Sequence, residues 1–295
     1  MRMRTVLLAA MAGLLAASVP ILAEGQPVIS LPRVSKWEMN YDIDSCHLMA
    51  RFGSGNQDVI LNITREQPGD GFDALLFGKM FKYDELDMPI ELDFGLGGKV
   101  IKRSGIALTA GGPDAVPALR VSNLRLDGWA AKSKDDQPPV LAQSVESSVT
   151  TITFRAASNK RFRLETGSLG PPLAAMRQCT ASLIKSWGYD PTVEAGLVRR
   201  STPTGNPAAW VVTGDFPSKA LWAGNNGLVH FRLDVDETGK PVGCRVLFRT
   251  NPDEFADRSC KALLQRAKFT PARDAQGKPV KSFYINTIRW MAGAY

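Results

Sequence analysis

Few residues in this sequence could do covalent chemistry: two histidines, four cysteines and two groups of closely spaced carboxylates. His47 and His230 each fall on a stretch of strand-like alternation, His230 on the polar, outward-reading face. A lone histidine on such a face is far more often inert than catalytic, because acid-base work needs a second group placed against it. Asp42 with Asp44, and Asp84 with Glu85 and Asp87, could supply a carboxylate pair or a calcium site, although solvated turn residues account for them more simply. No Gly-x-Ser-x-Gly, His-Glu-x-x-His or Gly-x-x-x-x-Gly-Lys-Ser/Thr occurs;. Gly95-Leu96-Gly97-Gly98 lacks the third glycine of a dinucleotide loop and reads as a tight turn. No catalytic residue, metal site or cofactor is therefore assigned, and the chain reads as a non-enzyme.

The cysteines depend on compartment. Met1-Arg2-Met3-Arg4 is a positive start, Thr5 to Val19 is an uncharged apolar run, and Ile21-Leu22-Ala23 offers a cleavage site before Glu24, the layout of a secretory signal peptide over residues 1–23;. The run is too short to span a bilayer and Pro20 interrupts its end. Export puts Cys46, Cys179, Cys244 and Cys260 in an oxidising space, the periplasm, with no transmembrane anchor left after cleavage. With no Cys-x-x-Cys pair, two structural disulfides are the simplest reading.

The elements that position these residues fall into two groups. From residue 24 to about 165 short alternating segments are separated by Gly, Pro, Asn and Asp; Lys36–Tyr41, Cys46–Phe52, Val59–Thr64, Ala74–Gly78, Ile90–Phe94, Lys99–Lys102, Leu119–Val121 and Val149–Phe154 all suit strands. Ala130–Gln143, rich in charge and proline, reads as a surface loop. Pro171-Pro172 then opens a helix and Gly188 follows its end. Leu173, Met176, Thr180, Leu183 and Trp187 form its apolar stripe, which Cys179 borders. Cys179 so faces the β-rich region, where Cys46 is its partner. This β-rich domain with a closing helix spans 24–190, and 191–208, with three prolines and no periodicity, reads as a linker.

In the last segment, 209–295, Val229, Phe231, Leu233 and Val235 alternate with Leu228, His230, Arg232 and Asp234, a half-buried strand. Asp236–Gly239 turns, and Val242, Cys244, Val246 and Phe248 continue the pattern in a return strand. Asn251-Pro252 starts a helix with Ala256, Cys260, Leu263, Leu264 and Ala267 as its buried stripe. Cys244 and Cys260 therefore face each other across hairpin and helix. Phe269-Thr270-Pro271-Ala272 ends the helix and Ser282–Trp290 is a final strand. The class is α+β, with a mostly β N-terminal domain and a ββαβ C-terminal one.

Here the sequence resembles a family, the TonB C-terminal domain of Gram-negative bacteria. Phe216-Pro217-Ser218-Lys219-Ala220 is similar to its Tyr-Pro-x-x-Ala opening, and Gly227-Leu228-Val229-His230-Phe231-Arg232-Leu233-Asp234-Val235 to its first strand. Thr238-Gly239-Lys240-Pro241-Val242 is similar to its hairpin, and Phe269-Thr270-Pro271-Ala272 to its helix exit. The resemblance covers about 80 residues and leaves residues 24–208 without a family. It implies that the last strand, Phe283, Tyr284, Ile285, Asn286, Thr287, Ile288 and Arg289, offers an edge that an extended segment of an outer-membrane receptor or other envelope protein can join. That edge is either open or covered, by Met291–Tyr295 or by the first domain. The chain departs from the family in lacking a retained anchor and a long proline-rich linker, so energy transduction is not expected.

Charge separates the two parts. Of the +7 formal charge, Arg2 and Arg4 leave with the signal; residues 24–208 hold 21 basic and 21 acidic residues, and 209–295 hold 13 and 8. The basic side chains Arg245, Arg249, Arg258, Lys261, Arg266 and Lys268 are spread without interleaved aromatics, which argues against nucleic acid. They leave an alternative role, an envelope scaffold for an anionic glycan or lipid; a hydrolase with its site in residues 24–190 is a weaker one. Non-reducing peptide mapping is expected to return Cys46 with Cys179 and Cys244 with Cys260. A cross-domain pair would overturn the domain boundary.

Overall fold

The computed structural model describes residues 27–83, 87–97, 99–110, 115–131, 136, 138–156, 161–250 and 252–293. The signal segment, Asp84, Glu85, Gly98, Asn251 and Tyr295 lie outside them. Ten strands form one sheet: β1 (Val28–Pro32), β2 (Glu38–Tyr41), β3 (Cys46–Phe52), β4 (Val59–Arg65), β5 (Phe72–Phe77), β6 (Asp87–Asp93), β7 (Val100–Ala110), β8 (Val116–Leu124), β9 (Thr151–Arg155) and β10 (Arg161–Glu165). Their order is β1-β10-β9-β6-β7-β8-β5-β4-β3-β2. The sheet curls until the chain just past β1 reaches β3: Arg33 bridges Phe52, and the Gly53 N–H donates to Pro32 O at 2.9 Å.

Period-two alternation drives the curling, since every second side chain must leave water. Cys46, Leu48, Ala50 and Phe52 on β3, Val59, Leu61 and Ile63 on β4, and Met88, Ile90 and Leu92 on β6 all point inward. Phe154 stacks on Phe162 with centroids 5.1 Å apart at the centre. β1 and β10 were absent from the sequence reading. In Arg161-Phe-Arg-Leu-Glu165 only Phe162 and Leu164 are apolar, so the strand signal is two residues long.

α1 (Gln143–Ser148) and α2 (Gly170–Ser186) close the curl, and Cys179 on α2 is joined to Cys46 on β3 with Cα atoms 6.0 Å apart. A bridge over so long a loop contributes on the order of 3–5 kcal/mol by restricting the unfolded chain. Glu146 of α1, fully buried, accepts Arg177 Nη1 at 2.5 Å. α2 ends as its sequence suggests, with Gly188 at φ 82° beyond it and the Tyr189 N–H returning to Ile184 O at 3.0 Å;.

The connection that follows is ordered. It holds α3 (Pro191–Ala195) and β11 (Thr202–Pro203), followed by α4 (Ser218–Trp222), β12 (Gly227–Val235), β13 (Pro241–Arg249), α5 (Glu254–Arg266), β14 (Phe269–Thr270), β15 (Ala272–Arg273), β16 (Pro279–Val280) and β17 (Ser282–Trp290). β11 pairs with β14, so the connecting segment is sewn to the C-terminal body. β13, β12 and β17 form a three-stranded sheet with β12 central. α5 covers one face, and Cys260 is joined to Cys244 with Cα atoms 5.6 Å apart. Leu264, expected in the buried stripe of α5, is 40% exposed. The helix is rolled so that Phe255, Ser259, Ala262 and Leu263 face the sheet, with Phe255 stacked on Trp290.

A second correction concerns β12, which is buried on both faces. Leu228, His230 and Arg232, expected to face water, are each less than 10% exposed because that face lies against the curled sheet. Arg120 in the middle of β8 is buried from the other side, its guanidinium 4.5 Å from the Phe248 ring.

The β12–β13 turn shows how tightly the C-terminal body is joined. Gly239 sits at φ 87°, and its carbonyl accepts the Phe269 N–H at 3.0 Å, tying turn to helix exit. A Cβ there would lie 2.0 Å from Phe269 O, a backbone atom that cannot step aside. Gly239→Ala is expected to cost about 2–3 kcal/mol, from left-handed strain and the lost fit. Urea unfolding checks this, and a loss under about 0.5 kcal/mol would contradict it.

Candidate binding edge and interdomain cleft

β17 pairs with β12 along its whole length, from Ser282 opposite Val235 to Trp290 opposite Gly227, and ends the sheet order. Among the described residues no strand pairs with its outer side. The Thr287 N–H donates instead to the Asn286 side chain at 2.8 Å, a local cap on an edge donor;. Of the candidate residues, Asn286, Thr287 and Arg289 are exposed, Tyr284, Ile285 and Ile288 are half-buried, and Phe283 is buried. Burial among Phe231, Phe269 and Trp210 pushes the Tyr284 hydroxyl pKa up, and Asn286 donates to that hydroxyl at 2.5 Å.

The two ends of β17 are held by the N-terminal body. At one end Phe283 packs edge-on against Trp187 and Tyr189, with centroids 5.4 and 5.3 Å away. The Tyr189 hydroxyl donates to Asp234 at 2.9 Å and to Ser282 O at 3.1 Å; burial first, then the Asp234 charge, raises its pKa. At the other end Arg289 meets Asp87 at 2.6 Å. The Ser104 hydroxyl and then this guanidinium hold the Asp87 carboxyl below the usual range. Met291 and Ala292 do not run along the edge, because the Ala292 N–H turns back to Asn226 at 2.9 Å.

Between the two bodies the sheet face carries His230 and Arg232. His230 Nδ1 is 2.7 Å from Thr287 Oγ1 and its Nε2 is 3.5 Å from Glu66. Arg232 lies 3.9 Å over the Trp187 ring, donates to Asp234 at 3.1 Å and is 3.7 Å from Asp44. Asp44 also accepts Arg245 at 2.6 Å, and that hydrogen bond, then the carboxylate's charge, raises the Arg245 pKa. Of the carboxylates read as acid-base or calcium candidates, Asp44 and Asp87 are ion-pair partners across the junction, Asp42 lies 3.9 Å from His47, and Asp84 and Glu85 lie outside the described residues. Asn62 is buried and lies 3.3 Å from His47 Nδ1.

β17 does not lie flat on the curled sheet along its middle. A cleft of about 820 Å³ opens there, lined by Ile285, Asn286 and Thr287 on one side and by Asp73, Arg120 and Ser122 on the other. The sequence reading missed this lining; Arg65, the one charge that breaks the inward series Val59, Leu61, Ile63, turns its side chain inside the curled sheet beside Cys46.

Residues 214–291 match the family described as Gram-negative bacterial TonB protein C-terminal. No curated protein and no solved structure matches the chain. The match runs from before α4 to just past β17, a little over a quarter of the sequence, and bears out the TonB C-terminal likeness of that segment. Among the described residues no helix is long and apolar enough to cross a membrane.

Removing Asp44 would leave Arg232 buried at the junction with one carboxylate fewer. Asp44→Ala is expected to destabilise the chain by about 3 kcal/mol, read from the urea midpoint. A loss below about 0.5 kcal/mol would mean that Asp234 and Trp187 hold the guanidinium without it.

Proposed function

We propose that the protein is an exported periplasmic binder that captures an extended segment of an outer-membrane receptor or another envelope protein along β17. In this reading residues 1–23 are the cleaved signal, 24–190 and 209–295 the two domains, and 191–208 the linker. The observation that carries it is the outer edge of β17, which ends its sheet with Asn286, Thr287 and Arg289 exposed beside a cleft. Backbone groups on such an edge give affinity to any extended chain, and neighbouring side chains add modest selection.

The protein acts without transducing energy. Residues 191–208 hold α3 and pair β11 with β14, leaving no long rod to carry a pull. The partner is a protein segment, and the envelope glycan or lipid role is the competing outcome.

Thr287→Pro is the direct test, because the Thr287 N–H bonds to Asn286 and the substitution spares the β12 ladder;. Ile285→Pro, at the same parity, is the second variant and leaves the Thr287–His230 contact in place. On a peptide array covering the outer-membrane receptors, each variant is expected to lose capture by about tenfold or more, with circular dichroism unchanged. Unchanged capture by both, or no capture by the parent chain, would overturn the edge-strand reading.

A further inference from the structure

A second cleft, of about 730 Å³, opens between the two bodies near the end of β17. Alternation on β7 sets one wall. Ala107 pairs with Leu119 and packs on the interior of the curled sheet, so Ile106 and Leu108, paired with Arg120 and Ala118, turn to the outer face;. That face meets the C-terminal body, where the Arg120 guanidinium lies over the Phe248 ring. A sheet face turned away from its own core is ordinarily polar. Here it carries Ile106 and Leu108, both only half-buried. Phe81 and Tyr83, at and after the helical turn Lys79–Phe81, extend the apolar wall, and Leu228 of β12 and Met291 past β17 line it from the other body.

The polar side chains of the cleft divide by whether they are already occupied. Arg289 is held by Asp87 at 2.6 Å, the Asn226 side chain accepts the Ala292 N–H at 2.9 Å, and Thr250 Oγ1 accepts the Leu228 N–H at 2.9 Å. Of the others, Lys82 and Thr109 are exposed and Tyr83 is half-buried, and none of the three has a side-chain partner among the described residues. Burial raises the Tyr83 hydroxyl pKa, which keeps it a protonated donor beside the Lys82 cation;.

These features select an occupant. Apolar walls suit a hydrocarbon, because polar atoms laid against them would lose water without gaining a partner. An unpaired cation next to an unpaired phenol suits one anionic head that accepts hydrogen bonds. A cleft of this size at the junction of two bodies, mostly apolar with a few polar groups converging on it, is a usual setting for a small-molecule site. Its walls come from both bodies and enclose a chain from two sides, which suits a free single-chain amphiphile over a lipid seated in a bilayer.

We propose that this cleft binds a fatty-acid carboxylate, with the chain among Ile106, Leu108, Leu228 and Met291 and the head at Lys82 and Tyr83. The site goes beyond capture along β17, since neither Ile285 nor Thr287 lines it. Leu228 and Arg289 line both clefts, so an occupant here rests against the partition between them.

The test titrates the full chain by isothermal calorimetry with octanoate and decanoate, and with decanol and decylamine as head-group controls, all below micelle-forming concentrations. Decanoate is expected to bind about tenfold more tightly than decanol, with decylamine weakest. It is expected to gain about fourfold in affinity per methylene over octanoate. Lys82→Gln is expected to bring the decanoate-to-decanol ratio near one. Leu108→Trp, which fills the cleft, is expected to weaken every ligand by about tenfold or more; Met291→Glu, at an exposed position, is the second variant and is expected to weaken decanoate by about as much;. No binding of decanoate, affinity that does not grow with chain length, equal affinity for decanoate and decanol, or a ratio that survives Lys82→Gln overturns the inference. Unchanged decanoate affinity in both Leu108→Trp and Met291→Glu places the amphiphile elsewhere on the molecule and overturns the site. Binding to phosphatidylglycerol vesicles without binding of free decanoate assigns the cleft to a membrane surface and also overturns it.

Discussion

The buried guanidinium of Arg232 is the contact on which the relation between the two halves depends. It stacks on Trp187 at the end of α2, donates to Asp234 on its own strand and approaches Asp44 in the turn before β3. A charge cannot be left under a sheet without such partners, since its desolvation costs several kcal/mol. The partners come from three places in the sequence and can meet it in one arrangement of the two bodies. That arrangement presses one end of β17 against Trp187 and Tyr189, brings the other to Asp87, and leaves the middle standing over the cleft. The cleft is therefore a consequence of how the junction is pinned.

Net charge by segment misleads about where recognition would reside. The C-terminal part carries the surplus of basic residues, yet Arg232, Arg245 and Arg289 are committed to Asp44, Asp234 and Asp87. The N-terminal part sums to zero, and its Asp44 and Asp87 are carboxylates that those cations take as partners. A sum over a hundred and more residues averages out the local imbalance that a ligand would meet, because screening confines exposed charges to neighbours within about 10 Å.

Local pattern carried the sequence reading where one element decides its own partners. β3, α2 and β17 lie where alternation, prolines and glycine indicate, and Cys46–Cys179 and Cys244–Cys260 join the cysteines whose faces point at each other. It failed where burial came from the other body. Leu228, His230 and Arg232 alternate with apolar residues as a solvated face does, and nothing within β12 reveals that a second sheet covers them. The short strand β10, outlined by Phe162 and Leu164 between charges, was lost for a related reason: its pairing with β1 joins segments more than a hundred residues apart. The edge itself was legible only through the family resemblance.

The central claim is that an extended protein segment lies along the outer side of β17 in the cell. A photo-crosslinking amino acid at Asn286, exposed at the middle of that edge, reports on it directly when activated in intact cells and mapped by mass spectrometry. The account predicts adducts confined to one short stretch of an envelope protein, and their loss when Ile285 is replaced by proline. Adducts with lipid or glycan, or adducts that persist in the proline variant, would contradict it.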